Sequence, residues 1–333
     1  MTAPSIPDFV PTSWLEEAGS RITLVVLTHN RATQLMATLH RLRALPEYPQ
    51  IVVADNASTD ETVWMVDLAF PDVRIVQCGR NMGAAGRNRA VACVDTEYVA
   101  FCDDDTWWEP GSLAEAVRIL DASPRVGVLN ARIEVGDAGE TDPTCIVMRH
   151  SPLDSHGLPG LSLVGHMAGA SVFRTALFRD AGGYDARLFI GGEEELLALD
   201  LLAQGHAIVY CEALTVAHYP SAARDSALRR RMLARNAAWV AWLRLPLSDA
   251  LTRTVHALSI FNREGTLLHD GAQLLLGLRW ALRERRLVPR QVLSMLREVE
   301  LHEQRGVSLE RTPSRDGVSA HENESDYRET AGR

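Results

Sequence analysis

The chain has 333 residues, 46% hydrophobic and 23% charged, ordinary globular material for one large domain with an appendage or two modest domains. Its formal net charge of −9 argues against general nucleic-acid binding, which draws on a basic surplus. The sequence has no lysine, so all 34 basic residues are arginine, which excludes Schiff-base chemistry and a Walker-type phosphate loop.

Residues 1–20 read as a loose leader; they have no basic stretch followed by an apolar run, so they do not read as a signal peptide. Arg21 to Leu27 is a continuous β-branched apolar run, the signature of a parallel strand covered on both faces. Thr28-His29-Asn30-Arg31 ends it, and Leu35, Leu39, Leu42 and Leu45 mark a helix that Pro46 and Pro49 break. Ile51 to Ala54 is a second strand closed by Asp55-Asn56, and Ser58 with Glu61 predicts a capping box for a helix through Phe70. Val73 to Gln77 is a third strand, Asn81 to Asn88 opens another helix, and Tyr98 to Cys102 is a buried strand that delivers Asp103, Asp104 and Asp105 at its end.

A helix from Ser112 to Ala122 and a strand from Val126 to Ile133 follow. Residues 136–162, rich in Gly, Pro, Asp and Ser, read as a flexible loop region near the site, and Gly169 to Arg174 returns to strand character. Glu193-Glu194-Glu195 starts a helix ended by Gly205, Ala207 to Cys211 is a last strand, and His218 sits just beyond it. Residues 221–305 are helical, with Trp239, Trp242, Leu243, Leu274, Leu278 and Leu282 at core spacing; 306–333 read as a disordered polar tail. Cys78, Cys93, Cys102, Cys145 and Cys211 form no C-x-x-C pair, so buried free thiols in a reducing cytoplasm are expected. No apolar stretch approaches the roughly 20 residues of a bilayer span.

Alternating strands and helices mean a parallel sheet with helices on its faces, and right-handed crossovers bring Thr28–Arg31, Asp55-Asn56 and Asp103–Asp105 to one edge. Adjacent carboxylates there point to a bound cation, against the simpler reading of a solvated turn capping the next helix. The dinucleotide fingerprint is absent, because Gly83 and Gly86 do not follow the first strand. A D-x-D-x-T phosphatase is excluded by Trp107 and the missing lysine, and an EF-hand by the lack of glycine at its sixth position.

Five motifs stand in order: Leu27 to Arg31, Val53 to Asp60, Asn81 to Asn88, Cys102 to Asp105, and Gly182 to Asp185 followed by Gly192-Glu193-Glu194. Over residues 21–220 the chain resembles family 2 glycosyltransferases of the GT-A fold. The resemblance implies a Rossmann-like, mostly parallel α/β sheet, a nucleoside-diphosphate sugar donor, a divalent cofactor (Mn²⁺ or Mg²⁺) and inverting hexosyl or deoxyhexosyl transfer to a hydroxyl. Thr28, His29 and Arg31 would line the base and ribose, Asp55 would accept from them, and Arg87 would meet donor phosphate or base. Asp103 and Asp104 would contact the ribose and sugar, Asp105 would ligate the metal, and His218 would be a further ligand or a structural histidine. Glu194, or its neighbour Glu193, would be the general base, though carboxylates also favour a helix N-terminus on electrostatic grounds. An inactive binding subunit and a nucleotidyltransferase on a similar sheet are the alternatives. Acceptor selection is expected from residues 136–170 and the helical segment, with Leu267 to Arg286 able to rest on a membrane.

Overall fold

An apolar run with no polar side must be covered on both faces, and Ile22, Leu24, Val25 and Val26 are fully buried. The computed structural model describes residues 12–220 and 226–310; it opens with helix α1 (Thr12–Ser20), which enters strand β1 (Ile22–Thr28). Residues 12–20 are therefore helical and not a loose leader: Ala18 is buried, and α1 packs on the helix at Ser112–Ala122. Residues 1–11 lie outside the described residues.

The first half alternates as the sequence predicts, through α2 (Ala32–Arg43), β2 (Gln50–Asp55), α3 (Thr62–Ala69), β3 (Arg74–Gln77), a 3₁₀ turn at Gly83–Ala85, α4 (Gly86–Val91) and β4 (Tyr98–Asp103). Leu35, Leu39 and Leu42 form the buried face of α2. β1 lies between β2 and β4, parallel to both, with Thr28 beside Asp55 and Leu27 beside Asp103. Strand order reverses at β1, and in an open α/β sheet ligands sit beyond the carboxyl ends at such a point.

The second half runs through β5 (Thr106–Trp108), α5 (Ser112–Ala122), β6 (Val126–Val135), β7 (Glu140–Thr141), α6 (Pro143–Arg149), β8 (Leu161–Leu163), β9 (Ser171–Arg174), α7 (Thr175–Asp180), α8 (Glu193–Ala203) and β10 (Ala207–His218). The sheet order is β3-β2-β1-β4-β9-β6-β10-β5, with β7 on β6 and β8 on β10. It is parallel from β3 to β4 and mixed beyond, since β9 runs antiparallel to both β4 and β6. The chain leaves β6 at the site edge and makes its excursion over 136–170 without crossing the sheet, so it can only return antiparallel.

That excursion is not simply a loop. Helix α6 starts at Pro143, and the Asp142 carboxylate caps it by accepting from Thr144 N at 2.7 Å. The expected Ser58–Glu61 capping box is also absent. Asp60 accepts from Thr62 N at 3.1 Å, and Ser58 Oγ instead accepts from Asn30 N at 2.9 Å, which ties the first loop to the second. A bulge between Cys211 and Thr215 lets β10 continue to His218, which is thus a strand residue and not one beyond the strand.

Helices α9 (Ser226–Arg244), α10 (Leu247–Arg263), α11 (Leu267–Arg283) and α12 (Arg290–Glu310) follow. Trp239, Val240 and Leu243 join the main core, so these helices pack onto the sheet domain as well as on one another. Trp242 is partly buried and Leu274 fully, but Leu282 is half-exposed and not core. Residues 306–310 continue α12, whereas 221–225 and the rest of the expected tail, 311–333, lie outside the described residues. The five cysteines are free, and Cys78, Cys102, Cys145 and Cys211 are buried. Among the described residues no helix is long and apolar enough to cross a membrane.

Candidate active site

The loops after β1, β2 and β4 meet through direct bonds. Asn56 N donates to Thr28 O at 2.9 Å, and Thr28 Oγ1 donates to Asp104 Oδ2 at 2.9 Å. Asn30, at φ +53°, accepts from Thr59 N at 2.7 Å, a left-handed turn suited to an asparagine. Asp55 is buried and accepts from Ser58 N through both oxygens, at 3.1 and 3.2 Å. His29 is half-buried at the same rim, and its Nδ1 has no hydrogen-bond partner among the described residues.

The Asp triplet splits into different environments. Asp104 and Asp105 are buried, and Arg31 Nη1 bridges them at 3.3 and 3.2 Å. Burial pushes the Asp104 carboxyl up to about 7, against the pull of Arg31 and the Thr28 hydroxyl. Thr38 Oγ1 pins the Asp104 carbonyl at 2.8 Å, and Tyr219 N donates to Asp105 O at 2.9 Å. His218 Nε2 lies 3.7 Å from Asp105 Oδ1. Its position is held by β10 pairing with β5 and by Trp107, which stacks on Tyr219 at 4.9 Å.

Asp103 faces the open cleft and pairs with Arg87. Arg87 itself is buried, beneath Asp103 and near the ring of Tyr184, and is not among the residues that line the cleft. Burial disfavours its charge, but Asp103, Tyr184, Glu194 and Glu193 together outweigh it and its pKa is raised. Gly169 allows the approach of Asp103, since a Cβ there would lie 2.7 Å from Asp103 Oδ2. Gly169→Ala is therefore expected to displace that carboxylate at an overpacking cost of about 1–3 kcal/mol, read as a lowered melting temperature, and an unchanged melting temperature contradicts the contact.

The three glutamates of α8 also separate. Glu195 pairs with Arg253 of α10 at 2.7 Å, away from the cleft. Glu193 is buried, its Oε2 lacks a partner among the described residues, and burial raises its pKa. Glu194 keeps part of its surface on the cleft and accepts from Ala168 N at 2.5 Å. Burial, then the neighbouring Glu193, pushes the Glu194 carboxyl up to about 7.

The cleft holds about 570 Å³ and is lined by Asp103, Thr106, His218 and Glu194. Its other walls come from α6, the 163–169 segment and α12. His166, which the sequence reading did not single out, lines it with Nε2 3.1 Å from the Tyr184 hydroxyl; burial first, then Arg87, drive its pKa down to about 3. No spacing marks that histidine, because its partners are distant in the chain.

A divalent cation suits the chemistry at Asp105, where a carboxylate oxygen and an imidazole nitrogen lie 3.7 Å apart. Among the described residues no three His, Cys, Asp or Glu side chains form a ready cage. Mg²⁺-type sites use one or two protein carboxylates and complete their shell with substrate phosphates and water, so two protein donors fit.

Residues 23–181 match the sequence profile described as Glycosyl transferase family 2. The chain carries a family 2 glycosyltransferase domain. This glycosyltransferase is 25% identical over 246 residues to the N-acetylglucosaminyl-diphospho-decaprenol L-rhamnosyltransferase of Mycobacterium tuberculosis, covering 62% of this chain and 79% of that protein. It is 28% identical over 208 residues to the pre-mycofactocin glycosyltransferase of the same organism, covering 59% of this chain but only 42% of that protein. In fold it is similar to the mannosyltransferase PcManGT of Pyrobaculum calidifontis, solved with GDP-Man and Mn²⁺, at a TM-score of 0.53 and 20% identity, covering 87% of this chain and 80% of that one. S. aureus TarS gives a TM-score of 0.51 at 17% identity, over 80% of this chain and 55% of that one. The sheet and its flanking helices have the GT-A architecture.

Proposed function

We propose that this glycosyltransferase is an inverting enzyme that moves a hexosyl or deoxyhexosyl group from a nucleoside-diphosphate sugar to an acceptor hydroxyl, with Glu194 as general base. The observation that carries it is that Glu194, Asp103 and His218 line the same cleft, with His218 3.7 Å from the Asp105 carboxylate. Thr28, His29, Arg31 and Asp55 form the rim for base and ribose; Asp103 and Asp104 serve the ribose and sugar. Asp105 and His218 would hold Mn²⁺ or Mg²⁺, which when bound supplies positive charge for the departing diphosphate. The acceptor oxygen forms its bond to C1 as the C1–O bond to the diphosphate breaks, and Glu194 takes the hydroxyl proton. Arg87 acts from below, where its charge compensates Asp103 and the buried glutamates. Proton NMR of the first-formed product tests the inverting course. Inverted anomeric configuration is expected, and retention contradicts it.

A lipid-linked acceptor at a membrane surface fits the helical segment, as it does the decaprenol substrate in the name of the mycobacterial rhamnosyltransferase. Leu251, Val255, Leu268, Leu275, Leu276 and Leu282 are exposed on α10 and α11, with Arg279, Arg283 and Arg286 exposed beside them. Co-sedimentation with vesicles containing anionic phospholipid checks this: binding that fails on zwitterionic vesicles is expected, and equal absence of binding to both excludes it.

A further inference from the structure

The loop leading into the Glu193–Glu194 turn is held from behind by the C-terminal helices. Asn236, in α9, is fully buried, and its Nδ2 donates to the carbonyls of Leu188 at 2.7 Å, Ile190 at 3.1 Å and Gly191 at 2.6 Å. Its Oδ1 accepts from Arg235 Nε and Nη2, both at 3.1 Å, which sets the amide's orientation. Arg235 is itself held by Gln273 of α11 at 2.9 Å and by the Trp239 ring.

The loop does not hold this shape by local preference. Phe189 stands at φ +63°, Gly191 at +83° and Gly192 at +88°. On one flank Phe189 O accepts from Ala84 N at 2.8 Å; on the other, a Cβ on Gly191 would meet Leu233 Cδ2 at 2.1 Å. Residues 188–192 are thus clamped between the turn before α4 and helix α9, directly ahead of Glu193.

We propose that Asn236 is a positioning residue: by gathering three carbonyls of this loop it fixes where α8 begins, and so where the Glu194 carboxylate stands. The inference rests on the reading of Glu194 as the base. Without the amide those carbonyls would turn to other donors or to water, and the helix start would shift with them. A displacement of about 1 Å at a reacting group costs on the order of a hundredfold in rate.

Asn236→Ala is compared with Phe261→Ala, which removes a fully buried side chain from the helical core without touching residues 188–192. Hydrogen–deuterium exchange is read over 186–197. Metal-dependent hydrolysis of UDP-glucose, UDP-N-acetylglucosamine, GDP-mannose and dTDP-rhamnose is measured with water as acceptor. For Asn236→Ala, faster exchange at 188–193 is expected, with kcat about 10- to 100-fold lower and donor KM within about twofold. Phe261→Ala should melt earlier yet keep both the exchange pattern at 188–193 and kcat. Unchanged exchange at 188–193 in folded Asn236→Ala, or equal kcat losses in the two variants, overturns the proposal. Full turnover in Glu194→Gln overturns the base reading and this inference with it, whereas an inactive Glu194→Gln beside a fully active Asn236→Ala overturns this inference alone.

Discussion

Glu194→Gln is expected to lower kcat for sugar transfer by about 10²- to 10⁴-fold while donor affinity stays within about twofold. The amide keeps the size and the acceptor oxygen that faces Ala168 N, but it cannot take a proton. The same substitution should stabilise the fold at high pH. Glu194 titrates near 7 in the folded chain against an ordinary 4.5, so the folded state holds a proton that the unfolded chain releases. Stability is therefore lost as pH rises from about 4.5 through about 7, and above that window the buried charge costs on the order of 2 kcal/mol, allowing for its partly open surface. Glu194→Gln should melt a few degrees above wild type at about pH 8 and match it near pH 4. The acid limb of kcat/KM should likewise fall near 7, because only the ionised carboxylate can accept the proton. Wild-type turnover, or a melting point lowered at about pH 8, would remove Glu194 from the role.

Asp105→Ala is expected to abolish the part of donor affinity that depends on added Mn²⁺, a loss of tenfold or more, roughly the 1.4 kcal/mol per decade of binding. The buried carboxylate is held by Arg31 with His218 3.7 Å away, and the Asp105 backbone carbonyl accepts from Tyr219 N, so the residue is a positioned oxygen donor and not a mobile surface acid. The alanine variant leaves Arg31 paired to Asp104, which should preserve the loop. Titration with nucleoside diphosphate, with and without Mn²⁺, reads the effect. A variant that still gains affinity from the ion would place the metal elsewhere.

The strand-end motifs were legible because each follows a run of apolar residues that can only be a covered strand. From Ile22 to Thr28 and from Tyr98 to Asp103 the sequence determines both the strand and the edge at which its polar residues emerge. Asp142-Pro143 is a legible helix start that the Gly- and Ser-rich surroundings concealed. The family resemblance alone puts Arg87 at the donor. Its burial under Asp103 depends on a pairing across the sheet that no local spacing records. The register of Glu193, Glu194 and Glu195 was open for the same reason, and a partner on α10, Arg253, is what turns Glu195 away. Asn236 gave no signal at all, since an asparagine in a helix reads as solvated until its loop is seen.

Anomalous diffraction at the manganese edge, from crystals soaked with Mn²⁺ and UDP, GDP or dTDP, bears most directly on the arrangement of this cleft. The expected result is a single strong peak within coordination distance of Asp105 and His218, with the bound nucleotide reaching toward Thr28–Arg31 and Asp55. A peak remote from Asp105, or a nucleotide bound away from the β1 and β4 loops, would contradict it.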